Sequence, residues 1–260
     1  MATALATAPE ARPTGENGDV VAVEVLPGWR TGPDTHVAAL RITLAHGWKT
    51  YWRAPGDAGI PAAFDWQMST NLAGVKTHWP VPAIFVQNGM RSIGYENEVI
   101  IPLNLELASS GAATRLVGDI ELGVCEEICI PAFVFVDAKL PARGTHDPDI
   151  AAALADRPLT EREAAVSHVT CAVEPISDGL SLTVRATMPP IARGEAAAIE
   201  TADPTVWVAE PRVTRDGDML TARTELVRYD AMPFALDRSG VRMTVFGAGR
   251  AVDIRGCVGE

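Results

Sequence analysis

Val124-Cys125-Glu126-Glu127-Ile128-Cys129-Ile130-Pro131 sets two cysteines four positions apart, between two runs that read as strands. In one straight strand, residues four apart are roughly 13 Å from each other, so the two sulfurs meet only if the chain turns between them. With Glu121-Leu122-Gly123-Val124 and Ile130 to Val136 as the arms of a hairpin and Glu126-Glu127-Ile128 as its tip, the cysteines face each other. Opposed residues in a non-hydrogen-bonded antiparallel pair have Cα atoms about 4.5 Å apart, at the short end of what a disulfide accepts.

The magnitude of such a bond bears on its use. In the chain-entropy model a five-residue ring stabilises a fold by about 2 kcal/mol, whereas a ring closed by Cys171 and Cys257 contributes roughly 4 to 5 kcal/mol. The small clip is a poor staple and a better candidate for a bond made and broken in use. Spacing alone leaves redox or metal chemistry and a structural brace open.

Composition bounds the rest. A chain of 260 residues is long enough for two domains with separate cores. Its 47% hydrophobic and 21% charged content is that of a soluble globular protein. A net charge of -11 argues against nucleic acid, which selects basic surfaces. Four cysteines, an even number, fit an oxidising compartment. No apolar run approaches the ~18 residues that span a bilayer. Residues 1–19 lack a basic start and a continuous apolar core, so they are read as a flexible segment rather than an intact secretory signal. Either the protein stays in the cytoplasm or a signal has been removed or mis-started, and the cysteine usage favours the second.

Outward from the cysteine hairpin, short β-rich runs recur. Val20 to Leu26, stopped by Pro27-Gly28, and His36 to Leu44 come first. Gly47 to Pro61 then brings Trp48, Tyr51 and Trp52 together before a loop rich in Gly and Pro. Further strands are expected at 63–66, 75–79, 99–107, 115–124 and 130–140. Many short strands with little helical periodicity indicate an all-β sandwich over residues 20–141. Residues 142–167 read as a linker, with a turn or two of helix at 149–155 and at 159–166, the latter opened by the capping box Thr160-Glu161-Arg162-Glu163. Strands resume at Leu180 to Val184, Val206-Trp207-Val208, Arg242 to Phe246 and Ala251 to Ile254, with Asp216-Gly217 as a hairpin signal. Residues 168–260 are thus expected to form a second, smaller β-sandwich. Cys171 precedes its first expected strand and Cys257 follows its last, so a structural disulfide between them is the favoured reading.

Other chemistry leaves little trace. His36, His46, His78, His146 and His168 show no metal-ligand spacing, and no metal site is assigned. There is no G-x-S-x-G or P-loop, Gly247-Ala248-Gly249 is too weak to mark a nucleotide site, and the scattered acidic residues suggest a solvated surface.

Trp48-Lys49-Thr50-Tyr51-Trp52-Arg53-Ala54-Pro55-Gly56-Asp57-Ala58-Gly59-Ile60-Pro61, Trp79-Pro80-Val81-Pro82, Ser92-Ile93-Gly94-Tyr95 and the cysteine stretch follow one another in an order that closely resembles the N-terminal periplasmic domain of the DsbD family of thiol:disulfide interchange proteins. The likeness is greatest to the ScsB branch, since DsbD itself spaces its cysteines more widely. The second half is similar, more loosely, to the extra β-domain of ScsB-like members. The resemblance implies an immunoglobulin-like domain in the periplasm whose cofactor-free redox centre is the Cys125–Cys129 pair. It further implies a protein-disulfide reductase component, fed by a membrane-embedded domain and a thioredoxin-like domain and reducing thioredoxin-fold periplasmic proteins through mixed disulfides. This sequence contains neither of those feeding domains.

Glu126 and Glu127 place two negative charges beside the thiols, which disfavours the thiolate. Tyr51, Trp52 and Tyr95 are expected to shield the pair and to form part of a docking surface. Two other classes stand beside this reading. C-x-x-x-C followed by Pro resembles the Sco-type copper motif, and soft thiolates select Cu(I), with His36, His46 or His78 as the added ligand. A β-sandwich scaffold without catalysis is the other.

Overall fold

Alternating apolar and polar residues put nearly every ordered segment of this chain into a strand. The computed structural model describes residues 10–11, 19–56, 59–87, 89–230 and 232–260. Contacts divide the chain into two units, the first running to Arg157 with breaks at 56–58 and 86–91, the second consisting chiefly of Pro158–Glu260.

The first unit contains β1 (Glu10–Ala11), β2 (Val21–Gly32), β3 (Thr35–Leu44), β4 (Lys49–Tyr51), β5 (Ala63–Asp65), β6 (Leu72–Thr77), β7 (Ala83–Gln87), β8 (Met90–Glu96), β9 (Glu98–Leu107), β10 (Thr114–Cys125), β11 (Cys129–Leu140) and the helix α1 (Pro148–Ala155). One sheet has the order β1-β2-β3-β9-β6 and the other β11-β10-β4-β8-β7, with β5 added beside β10. Their buried faces supply Val23, Leu40, Ile42 and Leu103 from the first sheet and Ile120, Leu122, Val124, Val134 and Val136 from the second. The unbroken burial of His36 to Leu40 has a second cause. On the opposite face Leu26, Val37 and Ala39 pack with Ile150 of α1, so β3 is covered on both sides. Asp147 caps that helix, its carboxylate accepting from the N–H groups of Asp149 and Ile150 at 2.9 and 3.2 Å.

The second unit contains β12 (Leu159–Thr160), β13 (His168–Pro175), β14 (Leu180–Thr187), β15 (Ala196–Glu200), β16 (Val206–Val208), β17 (Arg212–Asp216), β18 (Met219–Arg228), β19 (Arg242–Gly247), β20 (Arg250–Arg255) and β21 (Val258–Gly259). Its sheets run β12-β20-β19-β15 and β16-β18-β14-β13-β21, with β17 paired to β18, and they enclose a core that includes Cys171, Leu182, Leu220, Met243 and Val252. The fold is all-β, with a sandwich in each unit.

Several expectations are corrected. Pro27-Gly28 does not stop β2. The register steps from Leu26↔Ala39 to Trp29↔Val37, a bulge in which Gly28 has φ 59° and lies where a Cβ would meet the Val37 carbonyl oxygen. The 142–167 stretch is not a bare linker: α1 belongs to the first unit and residues from Pro158 belong to the second. The expected capping box is present, with the Thr160 N–H donating to Glu163 at 2.8 Å, but it closes a turn rather than a helix. Ala165 at φ 53° ends it, and Leu159–Thr160 pairs with β20 instead. Cys171 lies inside β13, not before the first strand. Of the N-terminal segment expected to be flexible, residues 1–9 and 12–18 lie outside the described residues, while Glu10–Ala11 pairs with β2.

Candidate functional site

The two longest strands of the second sheet in the first unit, β10 and β11, pair without a break from Thr114↔Leu140 to Cys125↔Cys129. The β-branched and aromatic content of both arms holds this register, and the cysteines are its last pair. They are joined by a disulfide with Cα atoms 4.1 Å apart. Beyond it only Glu126, Glu127 and Ile128 remain, all exposed, Ile128 by 75%. The two sulfurs are not equivalent. Cys125 is half-buried and sits opposite Lys49 of β4, whereas Cys129 is exposed.

Tyr51 backs the exposed sulfur. Its hydroxyl lies 3.0 Å from the Cys129 Sγ, on a ring that is itself buried. Two glycines make room for that ring: a Cβ on Gly123 would fall 2.9 Å from Tyr51 Cδ2, and one on Gly59 would fall 2.8 Å from Cδ1. Burial pushes the Tyr51 hydroxyl above its ordinary value of 10, so it keeps its proton and is available as a donor to sulfur at neutral pH. Strand β4 is held between β10 and β8 by Val124↔Thr50 and Thr50↔Tyr95, and the Thr50 hydroxyl donates to the Gly123 carbonyl at 3.0 Å.

The other expected shielding residues have different places. Trp52 is fully buried, with the Arg53 guanidinium 3.6 Å from its ring centre. Tyr95 is buried as well. Its hydroxyl donates to the Pro80 carbonyl at 2.8 Å and is held well above the ordinary range, first by burial. Tyr51, Trp52 and Tyr95 are all buried and offer no ring surface to a partner, which corrects the expectation that they form part of a docking surface. Glu126 and Glu127 are exposed at the tip, and the Glu126 carboxylate lies against Gly47.

Cys171 and Cys257 form the second disulfide, 86 positions apart in sequence and with Cα atoms 5.6 Å apart. Among the described residues no group of three or more His, Cys, Asp and Glu side chains is placed to hold a metal ion. His36, one of the three candidate copper ligands, is buried on β3 with Nε2 2.6 Å from the Pro27 carbonyl oxygen.

Sequence reading missed three supports of the site. Lys49 is the cross-strand partner of Cys125, and its ammonium lies 4.9 Å from the Phe85 ring centre. Gly59 and Gly123 flank Tyr51, and a glycine within a strand run, as at Gly123, is the signal that marks a close approach. Phe133 and Phe135 point outward from the hairpin, 56% and 42% exposed, as the alternation Phe133-Val134-Phe135-Val136 encodes.

Residues 22–139 match the family model described as thiol:disulfide interchange protein DsbD, N-terminal. Twelve solved chains match the structure; one of them is the crystal structure of the N-terminal periplasmic domain of ScsB from Proteus mirabilis. That domain is 22% identical in sequence, with a TM-score of 0.73 and coverage of 95% of this chain and 96% of its own. No curated protein matches the chain. The part of the chain that carries the cysteine hairpin, residues 22–139, is thus the part that matches the DsbD N-terminal domain family of thiol:disulfide interchange proteins.

Proposed function

We propose that this chain is a periplasmic disulfide-reductase module that passes electrons through Cys125 and Cys129. The observation that carries the reading is a disulfide at the very end of a hairpin, with one of its two cysteines exposed and a tyrosine hydroxyl beside that cysteine's sulfur. Cys129 is the sulfur a partner bonds, because it is exposed and Cys125 is half-buried.

In the loading direction a donor thiolate attacks the Cys129 sulfur, the Cys125–Cys129 bond breaks, and Cys125 leaves as a thiolate that is then protonated. The donor's second thiolate attacks its own sulfur in the mixed disulfide and releases Cys129. Two electrons have moved to this chain and the donor is left as a disulfide. The reverse sequence reduces an acceptor. The donor is a membrane-embedded or thioredoxin-like domain, and the acceptors are thioredoxin-fold periplasmic proteins. Tyr51 donates to Cys129 whenever it carries negative charge, which offsets part of the destabilisation from Glu126 and Glu127.

Single-cysteine variants test the reading. Cys125→Ala keeps the exposed sulfur and lacks the resolving one, so it is expected to hold a thioredoxin-fold protein by a reducible bond in periplasmic extract. Cys129→Ala is expected to hold far less. Recovery of no linked protein with either variant overturns the proposal.

A further inference from the structure

The face of the hairpin that carries Cys129 continues along β11 through Pro131, Phe133 and Phe135, since side chains two apart share one side of a strand. Phe133 lies about 13 Å from Cys129 along the strand and Phe135 about 20 Å, both within the ~30 Å reach of an ordinary protein footprint. Large aromatic rings at 56% and 42% exposure form an apolar stripe on the face of β11 that carries Cys129. Solvated surfaces rarely retain such stripes unless something covers them.

The stripe borders a groove of about 350 Å³ between β11 and β5, and the charges there have one sign. Asp119 is paired in register with both Phe135 and Asp65, and Glu121 with Phe133 and Ala63. Asp65, Asp119 and Glu121 line the groove, and no Lys or Arg does. A carboxylate-lined apolar groove selects an apolar segment that carries lysine or arginine, and the chain's net charge of -11 draws such a segment in from a distance.

We propose that this outward face of β10–β11 is the docking platform for the exchange partner: it takes an apolar, lysine- or arginine-bearing segment next to the partner's reactive thiol. The proposal rests on the exchange reading above and names the surface and the partner chemistry for the same disulfide.

The probes are two synthetic thiol peptides, cysteine followed by alternating leucine and lysine and the same peptide with glutamate for lysine, with dithiothreitol as the reference thiol. The readout is the rate at which each opens Cys125–Cys129 in the full chain, divided by the dithiothreitol rate of the same variant. The lysine peptide is expected to exceed the glutamate peptide by about tenfold, which is the weight of one good anchor. Phe133→Ala with Phe135→Ala is expected to remove most of that advantage; both rings are exposed, so the core is not cut. Asp119→Asn with Glu121→Gln is expected to reduce it and to flatten its dependence on salt.

Equal rates for the two peptides overturn the platform. An advantage that survives the phenylalanine substitutions belongs to Glu126 and Glu127 at the tip and overturns it too. A dimer in sedimentation that the phenylalanine substitutions dissociate, with the peptide ratio unchanged, assigns the face to a second copy and overturns it. If dithiothreitol itself leaves Cys125–Cys129 closed, the exchange reading fails and the platform falls with it. Opening by dithiothreitol without peptide preference removes the platform alone.

Discussion

The chain carries two disulfides that differ in ring size and in the burial of one partner cysteine, Cys171 being buried and Cys129 exposed. Cys171–Cys257 closes a ring of 86 positions and has one sulfur within the core of the second unit, among Leu182, Val184 and Leu220. Cys125–Cys129 closes a ring of four positions at a strand end, where the next residues are solvated. By loop-closure entropy the first is the larger constraint on the unfolded chain by roughly 2 to 3 kcal/mol. A bond that contributes little to stability and has an exposed cysteine is suited to exchange, and one that closes a long ring with one cysteine in the core and the other half-buried is suited to bracing. The lesson is that ring size and access, not the presence of a disulfide, distinguish the bond proposed to exchange from the bond proposed to brace.

The sharpest way to break this contrast is to remove each pair in turn. Cys125→Ala or Cys129→Ala is expected to abolish turnover with a dithiol partner, followed by insulin or partner reduction, while urea denaturation shifts by about 2 kcal/mol at most. Replacing Cys171 and Cys257 with alanine is expected to leave turnover in place and to cost the second unit about 2 to 5 kcal/mol in the same denaturation. The opposite pattern would reverse the roles assigned to the two bonds. A graded dithiothreitol series with alkylation and mass mapping sharpens the point: Cys125 and Cys129 are expected to label before Cys171 and Cys257.

A smaller effect is expected from Tyr51→Phe, which keeps the ring between its glycines and removes the hydroxyl beside Cys129. Losing one donor to a charged sulfur is worth about 1 kcal/mol, or roughly fivefold in exchange rate at neutral pH. The same substitution should raise the pH at which reduced Cys129 is alkylated. Because the Tyr51 hydroxyl is held above 10, the wild-type advantage should stay constant across the neutral range. An unchanged rate and alkylation profile would leave Tyr51 as packing alone.

The smallest effect separates the units rather than the bonds. His36 is buried on β3, and its imidazole is held below the ordinary value of 6.5, mainly by burial, with Arg30 adding to the shift and the Pro27 carbonyl opposing it. Since the unfolded chain then binds the proton more readily, the first unit is expected to lose stability as pH falls below about 6.5. Above that pH both states are neutral at this site and the effect vanishes. Denaturation of wild type and His36→Gln at pH 7 and 5 checks it, with the variant expected to show less acid sensitivity.

Much of this was legible in the sequence because the informative signals were local. The C-x-x-x-C stretch with β-rich arms gave the hairpin and its facing cysteines, and Asp216-Gly217 marked the turn where Gly217, at φ 55°, joins β17 to β18. What was lost depended on distant partners. Lys49–Tyr51 is too short to announce a strand, and it is one because it fits between β10 and β8. No strand was expected over β8, where glycine is needed at Gly94, since a Cβ would sit 2.0 Å from the Thr50 carbonyl oxygen. Tyr51, Trp52 and Tyr95 were expected at a docking surface, and only their burial, which depends on distant strands, places all three rings inside. The exposed rings that remain, Phe133 and Phe135, were written in a plain alternation whose outer half passed for ordinary sandwich patterning.

The position of Cys125↔Cys129 as the final rung of the β10–β11 ladder has a kinetic consequence. Val124↔Ile130 and every rung beneath it are backbone pairs that do not depend on the sulfur–sulfur bond, so opening that bond is expected to leave the ladder in place and to release only the three tip residues. On the exchange reading the same ladder then stands behind the sulfurs in both redox forms, so the direction of exchange follows from the relative potentials of the two reacting pairs and not from a change of shape.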